Sequence, residues 1–188
     1  MGFYDLFMGP LERRLLNGMR RELIGLAAGD VLELGAKTGA NFPYYRLDRL
    51  EKLVVSDLTL EPSIYHNAPR MAVFQECSAL SLPFADESFD TVVETLVLCS
   101  VGDLRQAVRE VWRVLRPGGH FLHLDHGLPA ASSLAIIFRL LNLLWPHLTG
   151  GCNLNRDAKQ QIVSCGFRPE LALQDGSGIF SGGVARKP

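Results

Sequence analysis

The ten residues Asp90–Cys99 (D-T-V-V-E-T-L-V-L-C) constrain the fold more than any other stretch of the chain. The run is β-branched and apolar without regular alternation, so a strand built from it has no face to offer to water. A strand dry on both sides belongs in the middle of a sheet covered by helices on each face, and such sheets are built from parallel strands. The rest of the chain supplies that pattern. Val31–Leu34, Lys52–Asp57, Met71–Gln75 and His120–Asp125 read as further strands, with room for two closing strands between Phe167 and Arg186. From Pro10 to Ala27, Leu16, Met19, Leu23 and Ile24 recur at helical spacing while Arg13, Arg14, Arg20 and Arg21 read as a solvated face. Asp103 opens a helix lined by Leu104, Ala107, Val108, Val111 and Leu115, ended by Pro117-Gly118-Gly119, and 132–145 and 155–165 read as two more. This alternation predicts an α/β fold: a Rossmann-like, doubly wound, mostly parallel seven-stranded sheet with helices on both faces. Its ligand crevice is expected at the carboxyl ends of the strands, with every motif described below at that rim.

At 188 residues and 47% hydrophobic, the chain has apolar surface enough for one domain, 1–188, in which 1–28 is a leading amphipathic helix and 128–152 an apolar, lid-like insertion. A net charge of −1 leaves no basic stripe for nucleic acid. Cys77, Cys99, Cys152 and Cys165 lie far apart with no C-x-x-C pair, so neither a disulfide framework nor a zinc site is expected, and the compartment reads as reducing. The N-terminus lacks a secretory layout, and no apolar run reaches the roughly 20 residues a spanning helix needs, which predicts a cytoplasmic protein, at most peripheral to a membrane. For Leu134–Leu148, almost wholly apolar but broken by Arg139 and Asn142, three roles compete: core packing, a lid over an apolar acceptor, and contact with a membrane surface.

Glu33-Leu34-Gly35-Ala36-Lys37-Thr38-Gly39 is a strand running into a tight turn, where glycines leave room for a ligand to approach the backbone. A helix is expected to begin at once after it, its free N–H groups holding an anionic end such as an amino-acid carboxylate; the alternative is a plain strand-to-helix turn. Asp57, 22 positions after Gly35 at the end of the second strand, is placed to accept both hydroxyls of a ribose, or else to cap a helix.

The runs Leu82–Asp90 (L-P-F-A-D-E-S-F-D) and Arg109–Gly119 (R-E-V-W-R-V-L-R-P-G-G) resemble the paired signatures of class I methyltransferases of the type 11 group, which depend on S-adenosylmethionine (SAM). The resemblance runs in register with the glycine turn and Asp57 from about residue 10 to 127. A closer one, to small alkyl-thiol methyltransferase-like proteins and their bacterial relatives, rests on Thr38–Phe42, Thr95–Val101, Asp125-His126 and Gly151–Arg156. It implies SAM as cofactor, S-adenosylhomocysteine as product, and a small apolar acceptor that is a thiol, lipid-like or quinone-like. The implied cofactor residues are Glu33, Gly35, Lys37, Gly39, Asn41, Asp57, Ser78, Ala79, Leu80, Thr95 and Leu96. Lys37 stands where the family has glycine, and Ser78 where it has an aspartate for the adenine edge.

On the acceptor side the register places Leu98, Cys99 and Ser100 after the fourth strand, and Asp125 and His126 after the fifth. His126 is the candidate base, with Asp125 beside it; the competing reading is a structural histidine at a strand end. Cys99 reads as a small buried apolar residue, and no metal is expected. Two other functions compete with methyl transfer. A lapsed member of the family would act as a binding or assembly partner, and a nicotinamide-dependent oxidoreductase would use Asp57 similarly but lacks G-x-G-x-x-G spacing. Peripheral membrane contact and oligomeric state are left open by the sequence.

Overall fold

The computed structural model describes residues 9–126, 136, 138, 140–145, 151–176 and 178–188, the side chains of 9–15 excepted. In chain order it contains α1 (Gly9–Ile24), β1 (Gly29–Leu34), β2 (Leu50–Asp57), the one-turn α2 (Ile64–Asn67), β3 (Ala72–Glu76), β4 (Phe89–Thr95), α3 (Leu104–Val114), β5 (Leu115–His126), α4 (Ala158–Ser164), β6 (Arg168–Gln174) and β7 (Phe180–Arg186). The seven strands form one sheet in the order β3-β2-β1-β4-β5-β7-β6. All neighbours from β3 to β5 are parallel, and β7 runs antiparallel to both β5 and β6.

Alternate strand residues feed two cores, as the two-residue period of a strand requires. Val31, Leu53, Val55, Val93, Leu122 and Leu124 pack with Leu16, Leu23 and Ile24 of α1. Leu32, Leu34, Val54, Val92 and Phe121 pack with Ala107, Val108 and Val111 of α3 and Ile162 of α4. Strand β4 is therefore dry on both faces, as its sequence demanded. Asp103 caps α3 by accepting from Gln106 N at 3.0 Å, and Asp157 caps α4 by accepting from Gln160 N at 2.9 Å.

Four expectations need correction. Pro117-Gly118-Gly119 does not end α3; the helix stops at Val114 and the three residues form an irregularity inside β5, where Leu115 pairs with Phe89 but His120 with Thr91. Only glycine fits there, since a Cβ on Gly119 would lie 2.9 Å from Arg116 O and 3.0 Å from Asp90 O. No α-helix follows the glycine turn: between Gly39 and Leu50 the chain makes two 3-10 turns, Phe42–Tyr44 and Leu47–Arg49. Phe42 and Tyr45 are drawn into the core, the backbone is extended at Tyr45 and Arg46 between the two turns, and no α-helix N-terminus serves the glycine turn. Arg20 is not on a solvated face; it is 6% exposed, with its charge acting on Glu33.

The fourth correction concerns the two signature runs, which do not lie at the carboxyl rim. They interlock at the opposite end of the sheet, where β4 and β5 begin. Arg113 donates to Asp86 Oδ1 at 2.8 Å, to Leu82 O at 2.9 Å and to Glu110 Oε2 at 2.8 Å, while Glu110 accepts from Leu82 N at 2.8 Å. Arg116 grips Asp90 at 2.6 Å and Asp30 at 2.8 Å. Most of the insertion 128–152, and seven of the fifteen positions of the apolar stretch 134–148 within it, lie outside the described residues. Of its described side chains, Ile136, Leu140, Leu143 and Leu144 are 58–72% exposed and so are not core. Among the described residues no helix is long and apolar enough to cross a membrane.

Candidate active site

From β1 the chain proceeds outward to β2 and β3, then returns to place β4 on the other side of β1, so a crevice opens between the carboxyl ends of β1 and β4. Gly35 and Gly39 have φ of +65° and +75°, conformations costly for residues with a Cβ. A Cβ on Gly35 would meet Val97 Cγ2 at 2.2 Å, and one on Gly39 the Phe42 ring at 2.4 Å. Protein atoms, rather than a ligand, thus already occupy the places the missing side chains vacate. Lys37, also left-handed with φ +44°, is exposed. Its N–H donates to Asp57 Oδ2 at 2.9 Å, and Ala36 N donates to Ser56 O at 3.1 Å, tying the turn to the end of β2. Asp57 Oδ1 has no hydrogen-bond partner among the described residues. Beside it, Cys77 N donates to Asp57 O at 2.8 Å, which brings Ser78, Ala79 and Leu80 to the same rim. Ser78 Oγ accepts from Leu80 N at 3.2 Å and keeps its own proton to donate.

Behind the turn, Glu33 is 1% exposed. Tyr45 OH donates to one of its oxygens and Asn41 Nδ2 to the other, each at 2.9 Å, and the same Asn41 nitrogen reaches Thr95 Oγ1 at 3.0 Å. Burial raises the Glu33 pKa to about 7, against the pull of those hydrogen bonds and of Arg20. Glu33 therefore acts on the crevice through Asn41 and Thr95, linking β1 to β4. At the end of β4, Leu96 has φ +61° and donates its N–H to Leu124 O at 2.8 Å, a strained backbone at the rim.

On the acceptor side, Asp125 Oδ1 accepts from Cys99 N at 3.2 Å. Glu94 accepts from Leu124 N at 3.1 Å and Val97 N at 3.2 Å. Burial raises the pKa of both carboxyls, and the charge of Asp125 pushes Glu94 well above the usual range. His126 Nε2 lies 2.7 Å from Cys152 Sγ, and Cys152 Sγ lies 3.9 Å from Cys99 Sγ. The Cys99 hydrogen bond, then the His126 contact, lower the Cys152 pKa to about 4, while the Cys99 thiol is pushed up. Asn153 N donates to Cys99 O at 2.8 Å, and Arg156 Nη1 donates to Leu98 O at 3.1 Å and to Val101 O, fastening 151–156 onto the end of β4.

The sequence-predicted residues thus fall into two groups. Gly35, Lys37, Gly39, Asp57, Ser78, Ala79 and Leu80, with Glu33 and Asn41 behind them, lie at the ends of β1 to β3, whereas Thr95, Leu96, Asp125 and His126 lie at the ends of β4 and β5. Sequence reasoning misses Cys152 as a site residue and reads Cys99 as packing, because 53 positions separate them and no local spacing rule reports such a pair. The available signal is that Cys99, His126 and Cys152 each sit in one of the runs carrying the closer resemblance.

A methyltransferase domain model matches residues 32–123. Human thiol S-methyltransferase TMT1B is 33% identical over 177 residues, covering 84% of this chain and 71% of that protein. The chain belongs to the methyltransferase family. A second relative of this methyltransferase is the demethylmenaquinone methyltransferase of Roseiflexus castenholzii, 36% identical over 135 residues, which are 67% of this chain but only 56% of that protein. Among solved structures, the S-adenosylmethionine dependent methyltransferase of Mesorhizobium loti matches with a TM-score of 0.72 over 92% of this chain and 97% of that one; at 17% identity this is a likeness of fold.

Proposed function

We propose that this methyltransferase takes its methyl group from SAM and delivers it to the sulfur of a small, apolar thiol, leaving S-adenosylhomocysteine. The observation that carries the cofactor reading is the tie between Lys37 N and Asp57 Oδ2, which sets a carboxylate against the glycine turn and leaves its other oxygen to receive ribose hydroxyls. Gly35, Lys37 and Gly39 offer backbone to the amino-acid end, Ser78, Ala79 and Leu80 border the base, and Thr95 and Leu96 close the side under β4. Glu33 and Asn41 hold that wall in place. Bound SAM supplies a methyl group made electrophilic by its sulfonium, so the protein has chiefly to align an acceptor and exclude water.

A thiol acceptor needs only to lose its proton, whereas a quinone ring carbon needs a strong, positioned base. The groups at the end of β5 favour the thiol. Both Glu94 oxygens accept backbone N–H groups, Asp125 Oδ1 accepts from Cys99 N while its Oδ2 is buried without a hydrogen-bond partner among the described residues, and His126 sits against a thiol rather than a carboxylate. A cavity of about 210 Å³ borders Asp125 and His126, small and lined mostly by polar side chains such as Asn155, Arg156, Asp157 and Lys159. The exposed Ile136, Leu140 and Leu144 suit a covering wall for an apolar acceptor.

The test has two arms. Asp57→Ala is expected to weaken SAM binding about 100-fold in calorimetry, the scale of one or two charge-assisted hydrogen bonds, with the chain still unfolding in one cooperative transition. Wild-type chain given methyl-labelled SAM should label aliphatic thiols as thioethers. Unchanged affinity in the variant removes the cofactor assignment, and label on a quinone ring alone, or on nothing, removes the thiol reading.

A further inference from the structure

Cys99, His126 and Cys152 come from three separate segments, yet their ligand atoms all lie within 4.8 Å of one another and all three residues are buried. We propose that these side chains form a binding site for a zinc-class divalent cation, with its open coordination position taking the sulfur of the acceptor thiol. The proposal rests on the thiol reading above and gives His126 the duty of a ligand instead of a base.

Two thiolates and an imidazole are the donor set that such a cation prefers, and three protein ligands with a fourth position open is the pattern of catalytic rather than structural zinc. The spacing agrees. With Zn–S bonds of about 2.3 Å, tetrahedral thiolates sit about 3.8 Å apart; Cys99 Sγ and Cys152 Sγ are 3.9 Å apart. A bound imidazole nitrogen would lie about 3.5 Å from a thiolate sulfur, so His126 Nε2, now at 2.7 Å from Cys152, must draw back by under about 1 Å. The ligands are also held from outside, as functional metal sites require. Asp125 fixes the Cys99 backbone N–H, and Asn153 and Arg156 pin the Cys152 segment to residues 98–101.

The chemistry balances. An acceptor R–SH binds the cation as a thiolate and releases its proton to solvent. The sulfur lone pair forms the new S–CH3 bond, the methyl–sulfonium bond breaks with its electron pair remaining on the departing sulfur, and the neutral thioether, a poor ligand, dissociates. Net release is one proton per methyl transferred, with no oxidant or reductant required.

The reduced full-length chain, stripped with a chelator, is titrated with zinc alone against a chromophoric competitor, and with cobalt as a spectroscopic substitute. Expected are one equivalent of zinc and the visible bands of tetrahedral cobalt with thiolate charge transfer. Cys99→Ser and Cys152→Ser should each weaken zinc binding on the order of 100-fold, since losing an outer-shell partner already costs up to that much. Cys77→Ser and Cys165→Ser, outside the cluster, should change nothing. No uptake by folded chain, uptake indifferent to both cluster serines, or equal thiol methylation by stripped and loaded chain overturns the site; if the variants do not fold, a wild-type cobalt spectrum without thiolate bands does so. SAM calorimetry on the same samples separates the two proposals: SAM binding without zinc uptake sinks the cation site alone, and zinc uptake without SAM binding supports it while sinking the cofactor assignment.

Discussion

Lys37 is held in a left-handed conformation that costs a residue with a Cβ about 1–2 kcal/mol, a cost that glycine escapes. Lys37→Gly should therefore raise the unfolding free energy by about 0.5–1 kcal/mol after allowing for glycine's looser unfolded state, as read from urea denaturation; a loss of stability would show that the lysine side chain holds the turn. Glu33 makes a pH prediction whose sign follows from burial. Its folded pKa, about 7, exceeds the ordinary 4.5, so its contribution is fully present below 4.5 and is lost as pH rises to about 7. The difference is about 3 kcal/mol. Stability of the wild-type chain relative to Glu33→Gln should decline through that window; parallel profiles would contradict it. Of the single residues, Asp57 and the turn glycines were legible because their local pattern implies their place, although the reason for the glycines was not: the sequence suggests ligand room, and the structure shows Val97 and Phe42. Glu33 was legible as acidic, but its burial was not, since that depends on Tyr45 and Asn41 folding back over it.

Individual elements were legible where one period dominated. β4 followed from the β-branched run Asp90–Cys99, although the strand ends at Thr95 and Leu96 turns left-handed, and α3 followed from its cap and apolar face. The failures share one cause: Pro117-Gly118-Gly119 and the stretch after Gly39 both carry the chemistry of a helix boundary, and tertiary contacts chose otherwise. The conspicuous signature runs turned out to be a brace at the amino ends of β4 and β5, away from the carboxyl rim where the glycine turn and Asp57 lie. β7 offers a sharp test of packing. A Cβ on Gly183 would lie 2.2 Å from the backbone oxygen of Leu171 in the neighbouring strand, whereas one on Gly18 in α1 meets nothing within 4 Å. Gly183→Ala should cost about 3 kcal/mol by forcing β6 and β7 apart, while Gly18→Ala should gain about 0.8 kcal/mol from helix propensity. Melting temperatures that shift alike for the two would mean that the antiparallel edge is looser than described.

At the scale of the whole molecule, the order β3-β2-β1-β4-β5-β7-β6 turns local motifs into a site. Reversal of direction at β1 puts the glycine turn, the end of β2 and the end of β4 around one crevice, and the sequence alternation foretold that. It did not foretell the meeting of Cys99, His126 and Cys152, because three segments distant along the chain converge only once β4 and β5 are paired and 151–156 is fastened across them. The relatives share the methyltransferase domain, but the bacterial and human alignments leave 44% and 29% of those proteins unmatched, so the acceptor must be found with this chain itself. The most direct measurement is a crystal structure of the chain with S-adenosylhomocysteine. The account predicts the ribose hydroxyls on Asp57 Oδ1 and the amino-acid end against Gly35–Gly39, with the sulfur facing the end of β5; a ligand seated elsewhere, or a crevice that stays empty at saturating concentration, would contradict it.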